Sequence, residues 1–312
     1  MYSFQTQLKI GVLAGAKKGW NSFIWMGKIV IPVSLLVTLL QWAGWLNQLD
    51  FLLNPLTNLI NLPPEAALPI ITGMLINNYA VIASVTVIPF TIEQITLIAV
   101  FNLIAHNLIM EGIVQHRSGI NVFKTTLARI AAAILAVLIV SLFLGDTGQS
   151  VAVQAIITAH TPFLEAMKVW SVDTMGLLLK IFGIIMVTMI LLESLKALGW
   201  IEKSLRLFKP LMKILGLSDR TAMMWVTGII FGLLYGGAVI VEESKTGTLA
   251  REEVERLHFS VGTAHALVEE TALFAILGVN IFWLLVPRLS MAIIVVQSYR
   301  ALRYLQSRLI HQ

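Results

Sequence analysis

The chain has 312 residues, of which 57% are hydrophobic and 12% charged, with a formal net charge of +5 and a mean hydropathy of +0.84. That leaves too little polar surface to clothe a soluble globule of this size, so the composition excludes a soluble fold and points to an integral membrane protein. There is no cysteine, which excludes disulfides, thiolate metal sites and redox dithiols, and the basic excess lies at the ends of apolar stretches, where it argues orientation rather than a nucleic-acid partner.

Residues 1–22 place Lys9, Lys17 and Lys18 among apolar side chains, and the expectation is an amphipathic helix on the cytoplasmic face. The apolar stretch from Phe23 to Trp42 is too long for a signal-peptide core, and it is read as a span. Further apolar segments follow at 66–90, 94–115 and 122–145, with an amphipathic piece at 46–62. Residues 146–168, opening on Gly145-Asp146-Thr147-Gly148 and containing Pro162, are expected to be a linker. The second half then gives apolar segments at 170–199, 221–242, 257–277 and 280–300, an amphipathic piece at 200–217, and a C-terminal tail at 306–312. Because each crossing needs ~20 apolar residues and the stretches are rich in leucine and isoleucine, the fold class is an all-α polytopic helical bundle. The charged run from Glu242 to Arg256 is read as a solvated loop and helix start capped by Thr248, and most tryptophans fall near segment ends as interface anchors.

The two halves repeat one another. At an offset of 155, Gly44-Trp45, Pro55-Leu56, Leu62 and Thr72-Gly73 recur as Gly199-Trp200, Pro210-Leu211, Leu217 and Thr227-Gly228. At an offset of 159, Ala105-His106, Leu108, Glu111, Gly119, Asn121, Phe123 and Arg129 recur as Ala264-His265, Leu267, Glu270, Gly278, Asn280, Phe282 and Arg288. The first repeat is placed at 23–145 and the second at 169–305. Loops that correspond differ in charge: 46–65 carries Asp50 and Glu65 without Lys or Arg, whereas 196–220 carries Lys196, Lys203, Arg206, Lys209, Lys213 and Arg220. Opposite charge predicts opposite sides of the membrane, hence inverted repeats, each with three full spans and one segment that fails to cross. The segment chosen is the second, where Pro69, Gly73 and Asn77-Asn78 in one copy, and Gly228, Gly232 and Gly236-Gly237 in the other, allow a broken or re-entrant hairpin. The competing reading of those glycines is a small-residue stripe for close helix packing.

Ionisable groups at membrane depth cost at least ~2.5–3.5 kcal/mol, so each needs a reason. Glu111, Glu269 and Glu270 are read as sites for a coupling ion or proton, with His106 and His265 beside them on the third segment of each half. Spacing puts Asn102 with His106, and His265 with Glu269, on one helix face. Asn77, Asn78, Tyr79, Tyr235, Gly236 and Gly237 join the two histidines as candidate solute-binding positions. The competing reading is structural: interhelical hydrogen bonds for the ionisable residues, and satisfaction of broken backbone for the hairpin residues. Thr72 and Thr227 are expected to bond back to their own helices, Asn121 and Asn280 to cap helices, and Arg129 and Arg288 to snorkel to headgroups, with binding of an anionic solute as the competing reading.

At Leu68 to Asn78, at Gly232-Leu233-Leu234-Tyr235-Gly236-Gly237-Ala238-Val239-Ile240-Val241-Glu242-Glu243 and at the two histidine-bearing segments, the chain resembles the bacterial nucleoside-recognition, or Gate, family. That family is similar to the core of concentrative nucleoside transporters, to paired membrane segments of bacterial ferrous-iron permeases and to spore-maturation membrane proteins. The resemblance implies a hairpin-and-helix gate in each half around a midplane site. Phosphate-loop, dinucleotide, zinc-protease and serine-hydrolase motifs are absent from the sequence, and no enzymatic activity is expected.

The reading is therefore a secondary transporter or permease of the bacterial inner membrane, multi-pass with both termini cytoplasmic, for a small polar or charged solute. The alternative is a non-transporting subunit that serves assembly, or lipid or envelope maintenance, with a partner protein; a third reading, a membrane-embedded metal hydrolase, rests only on the proximity of histidine and glutamate. Expected partners are membrane lipid, the solute, and either further copies of the chain or a partner subunit, with no nucleic acid. No resident metal or other cofactor is expected, and a sodium ion or proton is the candidate coupling cation.

Overall fold

The computed structural model describes residues 3–45, 57–145, 161–245 and 249–310. Within them the chain is an all-α polytopic membrane protein. Its helices are α1 (Phe4–Trp42), α2 (Ala67–Leu75), α3 (Asn78–Val85), α4 (Ile92–Ala105), α5 (Leu108–Arg117), α6 (Val122–Ser141), α7 (Phe163–Ala197), α8 (Trp200–Ile214), α9 (Asp219–Phe231), α10 (Leu233–Lys245), α11 (Arg251–Ala264), α12 (Glu269–Ala275) and α13 (Ile281–Ile310). Among the described residues five helical stretches are long and apolar enough to cross a membrane: Phe4–Trp42, Ile92–Arg117, Val122–Ser141, Phe163–Ala197 and Ile281–Leu309. The stretch from Arg251 to Ala275, the counterpart of Ile92–Arg117, is not among them; its first turns carry Arg251, Glu252, Glu253, Glu255 and Arg256.

The sequence expectations for the chain's edges need correcting. No separate interfacial helix occupies residues 1–22, because α1 runs unbroken from Phe4 for 39 residues. Its cause is α7. Gly11, Gly15 and Gly19 lie on one face at i, i+4 spacing, and a Cβ on Gly11 or Gly15 would stand 2.6 Å from the Ser194 Cα and 2.4 Å from the Ile190 Cα. With no side chain in the way, the two backbones meet at van der Waals distance. Lys18 reaches Glu193 across the same seam, so the lysine that suggested an interface is paired within the protein. The linker expected at 146–168 ends early, since α7 already begins at Phe163; residues 146–160 lie outside the described residues, as do Asp50 and Thr248. The tail expected at 306–312 is helical to Ile310 as the end of α13.

The helices α1 and α7, the first of each repeat, run antiparallel. Gly11 meets Ser194 while Gly19 meets Met186, and at the far end the Trp42 indole donates to the Thr161 carbonyl at 2.8 Å. Between them the Trp170 indole donates to Ser34 Oγ at 3.1 Å.

Each repeat then contains a pair of short helices. The 9 residues of α2 and the 8 of α3 give rods of roughly 12–14 Å at 1.5 Å per residue, far short of a ~30 Å hydrocarbon core. They pack on one another and on α4. The break has a local cause: Asn77 Oδ1 accepts from the backbone N–H groups of Tyr79 and Ala80, starting a fresh helix where the old one stops. In the second repeat α9 and α10 part at Gly232, with φ 75° and ψ −172°, a region open only to glycine. Of the glycines that could mark this break, Gly232 does so, while Gly236 and Gly237 continue α10.

At the centre, α4 and α6 of the first repeat pack against α11 and α13 of the second. One buried apolar cluster, including Ile98, Leu103, Val137, Ile181 and Phe274, ties the first repeat to α7 and α12. Another, including Trp225, Leu257, Val261, Val296 and Tyr299, fills the second repeat. Side chains cap several helix starts, at Asn121 and Asn280 as expected. Thr91 and Gln94 form a capping box at α4, Asn121 accepts from the Lys124 N–H, Asn280 accepts from the Phe282 N–H, and Thr72 bonds back to the Leu68 carbonyl.

A candidate polar site where two broken helices meet

The third segment of each half is also broken, and at its histidine. Helix α4 stops at Ala105; His106 is extended with φ −82° and ψ 168°, and Asn107 turns left-handed at φ 54° before α5 begins. In the second copy α11 stops at Ala264, His265 has φ −85° and ψ 167°, and Ala266 turns left-handed at φ 50°. This corrects the expectation that His265 and Glu269 share a helix face: His265 ends one helix and Glu269 begins the next, whereas His106 stays at the end of the helix that carries Asn102.

The short-helix pairs hold these breaks open. The Asn107 N–H donates to the Gly73 carbonyl at 2.9 Å, and the Ala266 N–H donates to the Gly228 carbonyl at 3.3 Å. Gly73 and Gly228 are repeat equivalents, and both are needed for close approach. A Cβ on Gly73 would lie 2.0 Å from Asn102 Oδ1, and one on Gly228 would lie 2.8 Å from Val261 Cγ1.

Breaking a helix inside a membrane frees carbonyl groups that lipid cannot satisfy. Arg129 supplies the missing donors, with Nε on the Ile104 carbonyl and Nη2 on the His106 carbonyl, both at 2.9 Å. Arg288 Nη2 donates likewise to the His265 carbonyl. The same guanidinium groups carry the acids: Arg129 Nη1 lies 2.8 Å from Glu111 Oε2, and Arg288 Nη2 lies 2.8 Å from Glu270 Oε2. Both cations sit at the carbonyl end of one half-helix and both acids in the first turn of the next, so the helix dipoles favour each. The snorkelling expected of Arg129 and Arg288 is thus overturned; they are 1% and 0% exposed.

Across the repeats the order is exchanged. His106 Nε2 of the first faces Glu270 Oε1 of the second at 2.8 Å, and His265 Nε2 of the second faces Glu111 Oε1 of the first at 3.6 Å. The two Nε2 atoms are 3.1 Å apart. Their Nδ1 atoms face the carbonyls of Asn102 at 2.7 Å and Val261 at 3.2 Å, another repeat-equivalent pair. A carbonyl only accepts, so each Nδ1 carries a hydrogen, and the two Nε2 atoms are left facing one another and the acids.

Beside this cluster is a cavity of about 920 Å³ lined by Asn77, Asn78, Tyr79, His106, His265, Glu269 and Glu270, with Gly237 and Arg117 farther along its wall. The Tyr79 hydroxyl donates to Glu269, and the Asn78 amide, 3% exposed, has neither its Nδ2 nor its Oδ1 hydrogen-bonded. Glu111 is not part of this wall; it lies behind His265 against Gly262. Tyr235 and Gly236 fall within α10, and their side-chain surroundings lie outside the described residues. The arrangement presents, from both repeats, an unpartnered amide, two imidazoles and two carboxylates to one chamber, which can bind a polar solute and a cation together. Arg129, Arg288 and Asn107 were not among the expected site residues. The recurrence of each arginine a fixed distance beyond a histidine and a glutamate was the available signal.

A family model described as Nucleoside recognition (Gate) matches residues 23–143. The chain is 29% identical over 290 residues to a Bacillus subtilis (strain 168) protein named "Uncharacterized membrane protein YvoD", an alignment covering 92% of this chain and 93% of that one. No solved structure shows significant similarity. Residues 23–143 of this polytopic helical membrane protein are thus similar to the Gate, or nucleoside-recognition, family.

Proposed function

We propose that the protein is a secondary transporter or permease that carries a small polar or charged solute through a chamber between two inverted repeats. The observation that carries the reading is an inequality between equivalents: Glu270 lines the cavity and contacts His106, whereas Glu111 is walled off and stands farther from His265. A repeat pair in unequal states is what alternating access requires, since the two copies exchange conformations when the chamber opens to the other side. In the exchanged state Glu111 would contact His265 and line the cavity, and Glu270 would withdraw. The Asn78 amide and the Tyr79 hydroxyl supply contacts to the solute, and the carboxylates of Glu269 and Glu270 carry the charge of a coupling cation.

Inversion is supported by the antiparallel course of α1 and α7, which are equivalent elements. The positive-inside bias supports the orientation. Lys203, Lys209 and Lys213 of α8 follow the end of α7 that pairs with Lys18, and the C-terminal part of α13 reaches the same end, where Gln297 donates to the Ile214 carbonyl. Both termini are accordingly assigned to the cytoplasmic side of a bacterial inner membrane, with one repeat from α1 to residue 145 and the other from α7 through α13. Single cysteines at Asn58 and Lys213, introduced into this cysteine-free chain, are expected to react with impermeant maleimide from opposite sides; labelling from one side would refute inversion.

For transport itself, a thermal-shift screen of nucleosides, organic anions, lipids and metal ions selects the solute, and its uptake is then measured in proteoliposomes. Glu270→Gln and Glu111→Gln are each expected to abolish gradient-dependent uptake, because each acid faces the chamber in one half of the cycle. Uptake that survives both substitutions removes these acids from the mechanism. Absence of flux together with a stoichiometric co-purifying partner would replace the reading with a non-transporting subunit.

A further inference from the structure

We infer that the cation for which this site is built is a divalent first-row transition-metal ion, held by His106 Nε2, His265 Nε2 and Glu270 Oε1. The inference deepens the permease reading by naming the class of cation. Its test measures binding alone, so the two can fail separately.

Three donor atoms from both repeats converge: all lie within 4.8 Å of one another, with His106 Nε2 at 2.8 Å from Glu270 Oε1 and 3.1 Å from His265 Nε2. Nitrogen and oxygen ligands ~2.0–2.2 Å from a common ion stand ~3.0–3.5 Å apart, so the 2.8 and 3.1 Å separations need a small opening and the third pair of donors, within 4.8 Å, a modest closure to meet on a metal. Two imidazoles and one carboxylate on one side, with a cavity on the other, form the facial set used by divalent iron and related ions with open positions. Sodium prefers a shell of oxygens, and two neutral imidazole nitrogens are a poor substitute.

A proton answers the geometry less completely. Because each Nδ1 hydrogen is committed to a backbone carbonyl, one added proton on His106 Nε2 points along the line to Glu270 or along the line to His265, and the remaining contact sets acceptor against acceptor. A metal ion accepts from all three atoms at once. The outer contacts are those that metal-binding histidines use: each ring donates its second N–H to a carbonyl, and Arg288 holds Glu270 Oε2 so that Oε1 faces the histidines. Charge agrees as well. Arg129 balances Glu111 and Arg288 balances Glu270, which leaves the carboxylate of Glu269, hydrogen-bonded by Tyr79, to attract a cation into the chamber.

The test titrates cobalt(II) into the purified full-length protein in detergent. One equivalent is expected to bind, with visible ligand-field bands and no thiolate charge transfer, since there is no cysteine. His106→Gln, His265→Gln and Glu270→Gln are expected to weaken binding at least tenfold, and Ile113→Ala, on the same cavity wall but without a donor atom, is expected to leave it unchanged. Zinc X-ray absorption of the wild type is expected to show the outer-shell scattering of two imidazoles, a readout that does not depend on any variant folding. No stoichiometric binding, binding unchanged in the histidine variants, or a spectrum without imidazole scattering would each overturn the inference.

Discussion

Arg129→Met is expected to destabilise the protein by about 3–5 kcal/mol, the cost of leaving a buried acid without its cation. The Arg129 side chain is 1% exposed and so is that of its partner Glu111. Water cannot reach either to compensate for the loss of the other. The double variant Glu111→Met/Arg129→Met should recover most of that loss, because an apolar pair of similar volume removes both desolvation costs together. Recovery should fall short by about 1–3 kcal/mol, since the carbonyls of Ile104 and His106 still lose the donors that Arg129 supplies. Thermal or denaturant unfolding of wild type, both single variants and the double variant in one detergent forms the cycle that measures this coupling. A single variant as stable as wild type would mean that Glu111 is solvated or finds another partner. A double variant no better than Arg129→Met would mean that the guanidinium matters only as a cap on the broken helix.

The same residues show where the sequence was legible and where it was not. The repeat, the membrane class and the recurrence of histidine and glutamate are visible because each is a pattern of identity at a fixed offset, which needs no knowledge of packing. Ionisable residues in apolar segments draw attention for an energetic reason, and His106, His265, Glu269 and Glu270 do converge on one cavity. The break at the histidines is another matter. Asn107 tolerates a left-handed backbone, but Ala266 has no intrinsic reason to adopt φ 50°. It is held there by tertiary hydrogen bonds, its own N–H to the Gly228 carbonyl and that of Leu267 to the Ile229 carbonyl, and no local signal encodes a contact with a segment so distant in sequence. An arginine near a segment end is equally compatible with snorkelling and with a buried pair, since both keep the charge. What decides is the depth of Glu111 and Glu270, which depends on the helix break. The N-terminal segment departs from its expectation for a related reason: its lysines resemble those of an interfacial helix, and the spacing of Gly11, Gly15 and Gly19 is the stronger indication.

That spacing yields a second large effect. Gly15→Leu is expected to cost about 3 kcal/mol or more, at or beyond the upper end of ordinary overpacking, because the obstruction is main chain rather than a movable side chain. A Cβ at Gly15 would stand 2.4 Å from the Ile190 Cα and 2.7 Å from the Met189 carbonyl oxygen, whereas a Cβ at Gly27, on the same helix, would meet nothing within 4 Å. Gly27→Leu should therefore lie within about 0.5 kcal/mol of wild type, as a surface substitution does, while exchanging a poor helix former for a good one. Comparing the two by thermal unfolding in detergent separates the effect of a larger side chain on α1 from the effect of prising α1 away from α7. Equal stability of the two variants would show that the helices are not in backbone contact. If Gly15→Leu alone unfolds early, the antiparallel seam is a main tie between the repeats. The proposed exchange of Glu270 for Glu111 would then take place around that seam, in the broken helices and short-helix pairs, rather than by parting it.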